Sequence, residues 1–243
     1  MNTRKRAIVV GASSGLGLEV AVLLASRGWA VGVAARRLDR LEELMAQCDG
    51  VEQVAAIDVT GSDAGVKLED LIERLGGMDL LFYASGVGNQ NRELKEEIEL
   101  RTVDTNAMGF TRVVGAGYRH MARQGHGHIA VISSIAGTKG LGPAPSYSAT
   151  KAFQNCYIQA LEQQARSRGL DIRFTDVRPG FVDTALLNDG NRYPMLLSPT
   201  PVAREIVAAV ERREHVRVID WRWRIVTALW RRIPRCLWRR MKL

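Results

Sequence analysis

The 243-residue sequence predicts a single α/β domain built on a doubly wound parallel sheet of about seven strands, with helices on both faces. Short apolar runs rich in β-branched residues alternate with longer segments of helical periodicity, which is typical of βαβ units. The chain is also long enough for one large domain and too short for two. Because parallel strands are joined by right-handed crossovers, such units wind into an open sheet.

The apolar runs place the strands in chain order. The seven predicted strands are residues 7–10, 30–34, 53–57, 80–84, 128–133, 172–177 and 216–219. Apolar residues three or four apart, starting at Leu16 and at Leu38, place the first two helices between them. The later predicted helices are residues 63–75, 101–123, 147–167 and 201–212.

The cysteines and the N-terminal segment argue against an exported or metal-dependent protein. Cys48, Cys156 and Cys236 are far apart and form no C-x-x-C pair, so neither a disulfide framework nor a zinc site is expected. The first apolar stretch has only four residues, too few for a signal peptide, and no apolar run is long enough to span a membrane. We expect a cytoplasmic protein, with peripheral attachment to the inner face of a membrane as the alternative.

A glycine-rich segment follows the first predicted strand and opens a helix. It reads Gly11-Ala12-Ser13-Ser14-Gly15-Leu16-Gly17. Glycines allow a tight turn and a close approach of the backbone to a pyrophosphate, and the helix N-terminus offers free N–H groups. A dinucleotide site is therefore predicted, contributed by Gly11, Ser13, Ser14, Gly15, Leu16 and Gly17. A turn without a ligand is the alternative.

The end of the second strand favours a phosphorylated cofactor. Ala35 stands where NAD enzymes place an acid for the ribose 2′-hydroxyl, and Arg36 and Arg37 follow it. Because arginine pairs well with phosphate, NADP(H) is predicted over NAD(H). The alternative is that the two arginines form only a solvated strand exit.

Two further strand ends carry candidate cofactor contacts. Asp58-Val59 follows the third predicted strand, where the carboxylate can accept from an adenine amino group. Ala84-Ser85-Gly86 ends the fourth, where small residues let the backbone approach the cofactor. Open α/β sheets bind ligands at this edge.

A tyrosine and a lysine four residues apart are the candidate catalytic pair. Tyr147 and Lys151 should share one helix face, about 6 Å apart. A nearby ammonium, helped by an oxidised nicotinamide, favours phenolate and brings proton transfer toward working pH. Ser134, at the end of the fifth predicted strand, can hydrogen-bond a substrate oxygen.

Together these motifs resemble the short-chain dehydrogenase/reductase superfamily, over about residues 5–219. The sequence departs from the family pattern at Ala84-Ser85-Gly86, where the family has Asn-Ala-Gly. The matching positions are Gly11, Gly15, Gly17, Asp58, Gly86, Asn106, Ser134, Tyr147, Lys151 and Arg178-Pro179-Gly180.

The resemblance implies a Rossmann-like fold and a role for each matched side chain. Tyr147 would be the acid/base, and Ser134 would polarise the carbonyl. Lys151 would lower the tyrosine pKa and bind the nicotinamide ribose, and Asn106 would hold a relay water behind it. For Asn106, a helix-interior residue bonding its own backbone is the alternative. Contacts to the cofactor are also implied for Tyr147, Lys151, Pro179, Gly180, Val182 and Thr184.

The predicted function is NADPH-dependent hydride transfer between nicotinamide and a carbonyl or hydroxyl carbon of a small-molecule substrate. An apolar segment at residues 181–199 hints at a hydrophobic or lipid-like substrate, although such segments also close over small ketones.

The resemblance implies a homo-oligomer, dimer or tetramer, built on the helices predicted at 101–123 and 147–167. The alternative function is a dinucleotide-binding scaffold or sensor.

The C-terminal segment differs in charge from the rest of the chain. Residues 221–243 contain eight basic residues and no acid, so the first 220 residues, with 26 basic and 26 acidic groups, are neutral. We therefore divide the chain into an oxidoreductase domain, 1–220, and a basic amphipathic tail, 221–243, which Pro234 should break into two helices. The tail is predicted either to bind an anionic membrane or to pack on its own body or a sister subunit, and nucleic acid is disfavoured.

Overall fold

The computed structural model describes residues 4–187 and 193–241 and contains one parallel sheet of seven strands. The strand order is β3-β2-β1-β4-β5-β6-β7, and helices cover both faces, which confirms the predicted fold class. The strands are β1 (Arg6–Val10), β2 (Ala30–Ala35), β3 (Val51–Ala56), β4 (Leu80–Tyr83), β5 (His126–Ile132), β6 (Asp171–Pro179) and β7 (Val216–Ile219).

Two hydrophobic clusters lie on the two sides of the sheet. Successive side chains of a strand point to opposite faces, so Ile8 joins one cluster and Val9 the other. The nine α-helices described are α1 (Gly15–Ser26), α2 (Leu38–Gln47), α3 (Ala64–Leu75), α4 (Glu96–Val103), α5 (Phe110–Gln124), α6 (Pro145–Ser167), α7 (Pro199–Glu211), α8 (Trp221–Arg232) and α9 (Arg235–Trp238).

The strand order reverses between β1 and β4, which are neighbours at the centre of the sheet. The chain runs outward from β1 to β3 on one side and from β4 to β7 on the other. The loops that leave the carboxyl ends of β1 and β4 therefore turn away from each other and leave a crevice between them. Open α/β sheets bind ligands at such a reversal point.

The helix predicted at 101–123 is interrupted. The structure has α4, then a π-helical turn at Asp104–Gly109, then α5. Gly109 packs closely on the chain after β3, since a Cβ there would lie 2.8 Å from Val59 Cγ2 and 2.9 Å from its carbonyl oxygen. Apolar periodicity predicted the helix but did not reveal this local widening, a feature often found at functional sites.

The tail forms two helices that pack against the rest of the chain. α8 ends at Arg232 and α9 begins at Arg235, which confirms the break expected at Pro234. The Asp220 carboxylate caps α8 by accepting from the backbone N–H groups of Arg222 and Trp223. Within the described ranges, no helix has the length and apolar character needed to cross a bilayer.

Candidate active site

A cavity of about 330 Å³ lies at the carboxyl ends of β1, β2, β3 and β4. Among its lining residues are most of those predicted for the cofactor. These are Gly11, Ser13, Ser14, Gly15, Leu16, Gly17, Arg36, Arg37, Asp58, Val59, Ala84, Ser85, Gly86 and Thr184.

The glycine-rich segment packs tightly against the neighbouring strand end. Gly11 has a φ of +93°, and a Cβ there would lie 2.6 Å from the Ser85 nitrogen. A Cβ on Gly17 would collide with the Gly11 carbonyl oxygen. The first turn of α1 is thereby held beside the cavity, where unpaired N–H groups of a helix N-terminus attract anions.

The two arginines after β2 lie beside this segment. Arg37 Nη2 donates to Ser13 Oγ and Ser14 Oγ, each at 2.9 Å, so its guanidinium lies over the first helical turn. Arg36 also lines the cavity. The two side chains place positive charge where the sequence predicted a 2′-phosphate.

Asp58 is an ionised acceptor at the edge of the cavity. Its Oδ1 accepts from the Thr60 backbone nitrogen at 3.0 Å and from Thr60 Oγ1 at 2.8 Å. The backbone bond chiefly holds the pKa of Asp58 below its ordinary value, and the hydroxyl bond and the charge of Arg36 add to this. Its second carboxylate oxygen has no protein donor in the described hydrogen bonds.

Tyr147 lies in the first turn of α6, half-buried against the loop after β4. A Cβ on Gly88 would lie 2.7 Å from Tyr147 Cε2, so the ring rests directly on that backbone. The Ser134 hydroxyl is near the Tyr147 hydroxyl and favours its ionised form, and Ser134 Oγ accepts from the Ala136 nitrogen at 3.0 Å. The two predicted catalytic hydroxyls are therefore together.

The sequence predicted that the pKa of Tyr147 would be lowered, but in the structure it is raised. Burial raises the pKa of Tyr147, and the Ser134 hydroxyl opposes the rise. The Lys151 ammonium is directed elsewhere, 5.7 Å from the ring centre, and donates to the Ile132 carbonyl oxygen and Gln154 Oε1, each at 3.0 Å. Burial lowers the pKa of Lys151 to about 8, against the opposing charge of Asp176.

Asn106 lies in the π-helical turn and is fully buried. Its Oδ1 accepts from the Val87 nitrogen at 2.9 Å and its Nδ2 donates to the Val87 carbonyl oxygen at 2.7 Å. The side chain thus holds the segment after Gly86 at the cavity wall. The alternative, in which it bonds only its own helix, is wrong.

Five predicted cofactor residues do not line the described cavity: Tyr147, Lys151, Pro179, Gly180 and Val182. Gly180 packs against the Trp223 indole, with which a Cβ would collide, and its nitrogen donates to the Ile219 carbonyl oxygen. Val182 forms an isolated bridge with Leu197, and Pro179 ends β6. Of the residues after β6 that were predicted to touch the cofactor, Thr184 alone reaches the described cavity wall.

A known protein family matches most of the chain. The family model described as short chain dehydrogenase matches residues 5–193. The chain belongs to the short-chain dehydrogenase family. An uncharacterized oxidoreductase of Myxococcus xanthus is 37% identical to it over 197 residues, which cover 79% of this chain and 77% of that protein. The resemblance drawn from the motifs is confirmed.

Two solved structures are similar to this short-chain dehydrogenase over most of their length. An actinorhodin polyketide ketoreductase solved with NADPH aligns with a TM-score of 0.78 at 27% identity, covering 90% of this chain and 97% of that one. An alcohol dehydrogenase from the archaeon Thermococcus sibiricus, complexed with 5-hydroxy-NADP, aligns with a TM-score of 0.76 at 27% identity, covering 89% and 95%.

Sequence reasoning missed one buried side chain that joins Lys151 to Asn106 in this dehydrogenase. Gln154 is fully buried, and its Nε2 donates to the Asn106 carbonyl oxygen at 2.8 Å while its Oε1 accepts from Lys151. The Gln154 amide thus lies between Lys151 and Asn106, where the resemblance implied a relay water. The signal in the sequence was a glutamine on the buried side of α6, one turn after Lys151.

A second group that the sequence did not reveal lies beside Ser133 and Lys151. Asp176 is buried in β6, accepts from the Ser133 hydroxyl and pairs with Arg178, whose Nη2 lies 2.6 Å from Asp176 Oδ2. Its negative charge faces the Lys151 ammonium and favours the charged form of that lysine.

Proposed function

We propose that this short-chain dehydrogenase is an NADPH-dependent carbonyl reductase or alcohol dehydrogenase. The observation that carries the proposal is the pairing of the Tyr147 and Ser134 hydroxyls after the carboxyl end of β5, at the edge of the sheet where the glycine-rich segment lines a cavity. The two structural relatives, a ketoreductase and an alcohol dehydrogenase in complex with nicotinamide dinucleotides, support this reaction class.

The residues around the cavity fit a dinucleotide. The close approach of Gly11 and Gly17 leaves backbone N–H groups for a pyrophosphate, and Asp58 has an oxygen free for an amino group. Arg36 and Arg37 line the cavity, and Ala35 stands where an NAD enzyme would have an acid, so the site favours NADP(H) over NAD(H). When bound, the reduced nicotinamide supplies a hydride to the carbonyl carbon.

The protein's part of the reaction is to hold the carbonyl and supply a proton. Ser134 donates a hydrogen bond to the carbonyl oxygen, and Tyr147 transfers its phenolic proton to that oxygen as the hydride arrives at carbon. The product is the alcohol, and the phenolate left behind is stabilised by the positive charge of Lys151. Gln154 holds Lys151 in place for this role.

A hydrophobic carbonyl compound is the proposed substrate class. Leu186 lines the cavity, and both Leu186 and Leu196 are exposed. The rings of Phe181 and Tyr193 pack at a tilt of 39° with their centres 4.7 Å apart. A homo-oligomer is also proposed, because helices α5 and α6 correspond to those that form subunit interfaces in the family. Met108, just before α5, and Phe153, in α6, are exposed apolar residues that such an interface would bury. Residues 188–192 of the predicted substrate segment lie outside the described residues.

Replacing the proton donor tests the reaction. In Tyr147→Phe we expect NADPH consumption with a panel of ketones and aldehydes to fall by about 10³-fold or more, because the proton must come from elsewhere. NADPH affinity, measured by fluorescence, should stay within about threefold. Tyr157→Phe, on the same helix, is the control and should retain activity.

The same assay, run on the wild-type protein and on Tyr147→Phe, distinguishes a reductase from a dinucleotide-binding scaffold or sensor. If wild-type protein binds NADPH but reduces none of the panel, or if Tyr147→Phe turns over normally, the reductase proposal fails. In the first case a dinucleotide-binding scaffold or sensor is left as the better interpretation.

A further inference from the structure

The tail helices α8 and α9 have one face fixed to the body. Trp223 is 3% exposed and packs edge-on against Phe181, with ring centres 5.5 Å apart. Trp238 is also buried, and its Nε1 donates to the Gly140 carbonyl oxygen at 2.8 Å. The Lys139 ammonium donates to the Ile233 carbonyl oxygen at 3.0 Å. Both helices are thus anchored beside the segments that follow Gly180 and Ser134.

The other face of α8 is apolar and exposed. Trp221, Ile225 and Leu229 recur every fourth residue, so they form one stripe along the helix. They are 66%, 53% and 57% exposed. Leu237 and Met241 in and after α9 are exposed as well. Helical periodicity alone predicts that Leu229, Trp230 and Leu237 share one face; the structure instead exposes Leu229 and Leu237 and half-buries Trp230.

Positive charge accompanies this stripe. Residues 221–243 contain no acid, and the rest of the chain is neutral. Arg222 is paired with Asp220. The exposed arginines of the two helices are Arg224, Arg231, Arg232, Arg235, Arg239 and Arg240.

We propose that this face, the exposed stripe of α8 with Leu237, Met241 and the surrounding arginines, docks on an anionic lipid surface. Tryptophan and aliphatic side chains enter the headgroup region of a bilayer, and arginines bind lipid phosphates. A second copy of the chain fits less well, because two such faces would bring together many like charges. Nucleic acid would satisfy the arginines but leave the stripe against phosphates or water.

The proposal combines two roles predicted for the tail: one face of its helices packs on the body, and the other face binds the membrane. It does not depend on the proposed reaction, because its readout is binding to lipid. The anchoring contacts at Gly140 and Phe181 hold the two helices to the body and leave the docking face exposed.

Vesicle flotation with the full chain tests the proposal. We expect the protein to float with vesicles of phosphatidylglycerol and phosphatidylcholine, and to bind vesicles of phosphatidylcholine alone at least tenfold more weakly. Trp221→Asp/Ile225→Asp/Leu229→Asp should abolish flotation while circular dichroism and NADPH affinity are unchanged. Val66→Asp, at an exposed apolar position on α3, is the matched control.

Charge is tested separately. Arg224→Gln/Arg231→Gln should weaken vesicle binding about tenfold, while Arg166→Gln/Arg204→Gln on the body should not. The proposal is overturned if the wild-type protein stays at the bottom of the gradient or if the aspartate variant floats normally. It is also overturned if the aspartate substitutions dissociate an oligomer, which would assign the face to a second copy, or if duplex DNA binds as tightly as the anionic vesicles do.

Discussion

At the scale of single residues, Arg37 and Gln154 each control one property of the proposed site: the preference for NADPH and the charge of Lys151. Arg37 bridges the two serine hydroxyls of the glycine-rich segment, where it adds a fixed positive charge to the helix N-terminus. Gln154 holds the ammonium of Lys151 from the buried side. Neither side chain needs to touch the reacting carbon: Arg37 would act on the affinity for NADPH, and Gln154 on kcat through Lys151.

Loss of Arg37 should weaken NADPH binding selectively. A charge-assisted bond to phosphate contributes about 1.5–3 kcal/mol, and the site is exposed to solvent, so we expect about a tenfold rise in the Kd for NADPH in Arg37→Ala. The Kd for NADH, which lacks the phosphate, should change by less than about twofold. Fluorescence titration measures both. Arg40→Ala, which breaks only a surface pair with Glu43, is the control; equal losses for the two cofactors would refute the preference.

Gln154 should control the pH at which Lys151 loses its charge. Burial lowers the pKa of Lys151 to about 8, and a bond accepted from the ammonium favours the charged form. Gln154→Leu should lower that pKa further, so the alkaline loss of kcat begins at lower pH, with kcat reduced about tenfold. Gln154→Glu adds a negative charge and should move the same limb to higher pH.

The pH profile of kcat distinguishes positioning from packing. Gln159→Leu, an exposed change on the same helix, should leave both kcat and its alkaline limb unchanged. If Gln154→Leu lowers kcat without moving the limb, Gln154 acts only as a packed side chain.

The sequence predicted the site residues whose relation is local. Tyr147 and Lys151 are one turn apart on a helix, and the glycine-rich segment follows its strand directly. Gln154 and Asp176 were missed because their partners are 48 and 43 residues away and meet only when α6 packs on the π-helical turn and β5 pairs with β6.

At the scale of elements, helix boundaries and faces depended on what each helix packs against. Periodicity predicted the helices up to α8, except that it gave one helix at 101–123 where the structure has α4 and α5. The faces of α8 follow from Gly180, whose missing side chain admits the Trp223 indole. A sequence pattern shows which residues are apolar, but the surface on which they pack is formed by the segment after β6 and the loop at Gly140.

The anchor of α8 should be measurable in the free energy of unfolding. Trp223→Ala should cost about 3 kcal/mol, because it leaves a cavity against Gly180 and Phe181. Trp221→Ala, on the exposed face, should change stability by less than about 0.5 kcal/mol. Urea unfolding followed by circular dichroism measures both, and small equal losses would mean that α8 is not held to the body.

At the scale of the whole molecule, one histidine should make the fold sensitive to acid. His128 lies in β5, paired on both sides within the sheet, and its Nε2 is 2.9 Å from Thr175 Oγ1. Burial lowers its pKa from 6.5 to about 4, and the charges of Arg213 and Arg173 add to the effect. The folded protein therefore holds this imidazole neutral over a pH range in which the unfolded chain protonates it.

The sign of the pH dependence follows from this difference. Above pH 6.5 the imidazole is neutral in both states and has no effect; as the pH falls toward 4, the unfolded state gains the proton first and the free energy of unfolding drops by about 3 kcal/mol. His128→Gln should remove that part of the acid loss, measured by urea unfolding at several pH values across this range. His126→Gln, at an exposed position two residues earlier, should leave the acid loss as in the wild type. An unchanged acid loss in His128→Gln would mean that other buried groups, and not this histidine, bind the protons that unfold the protein.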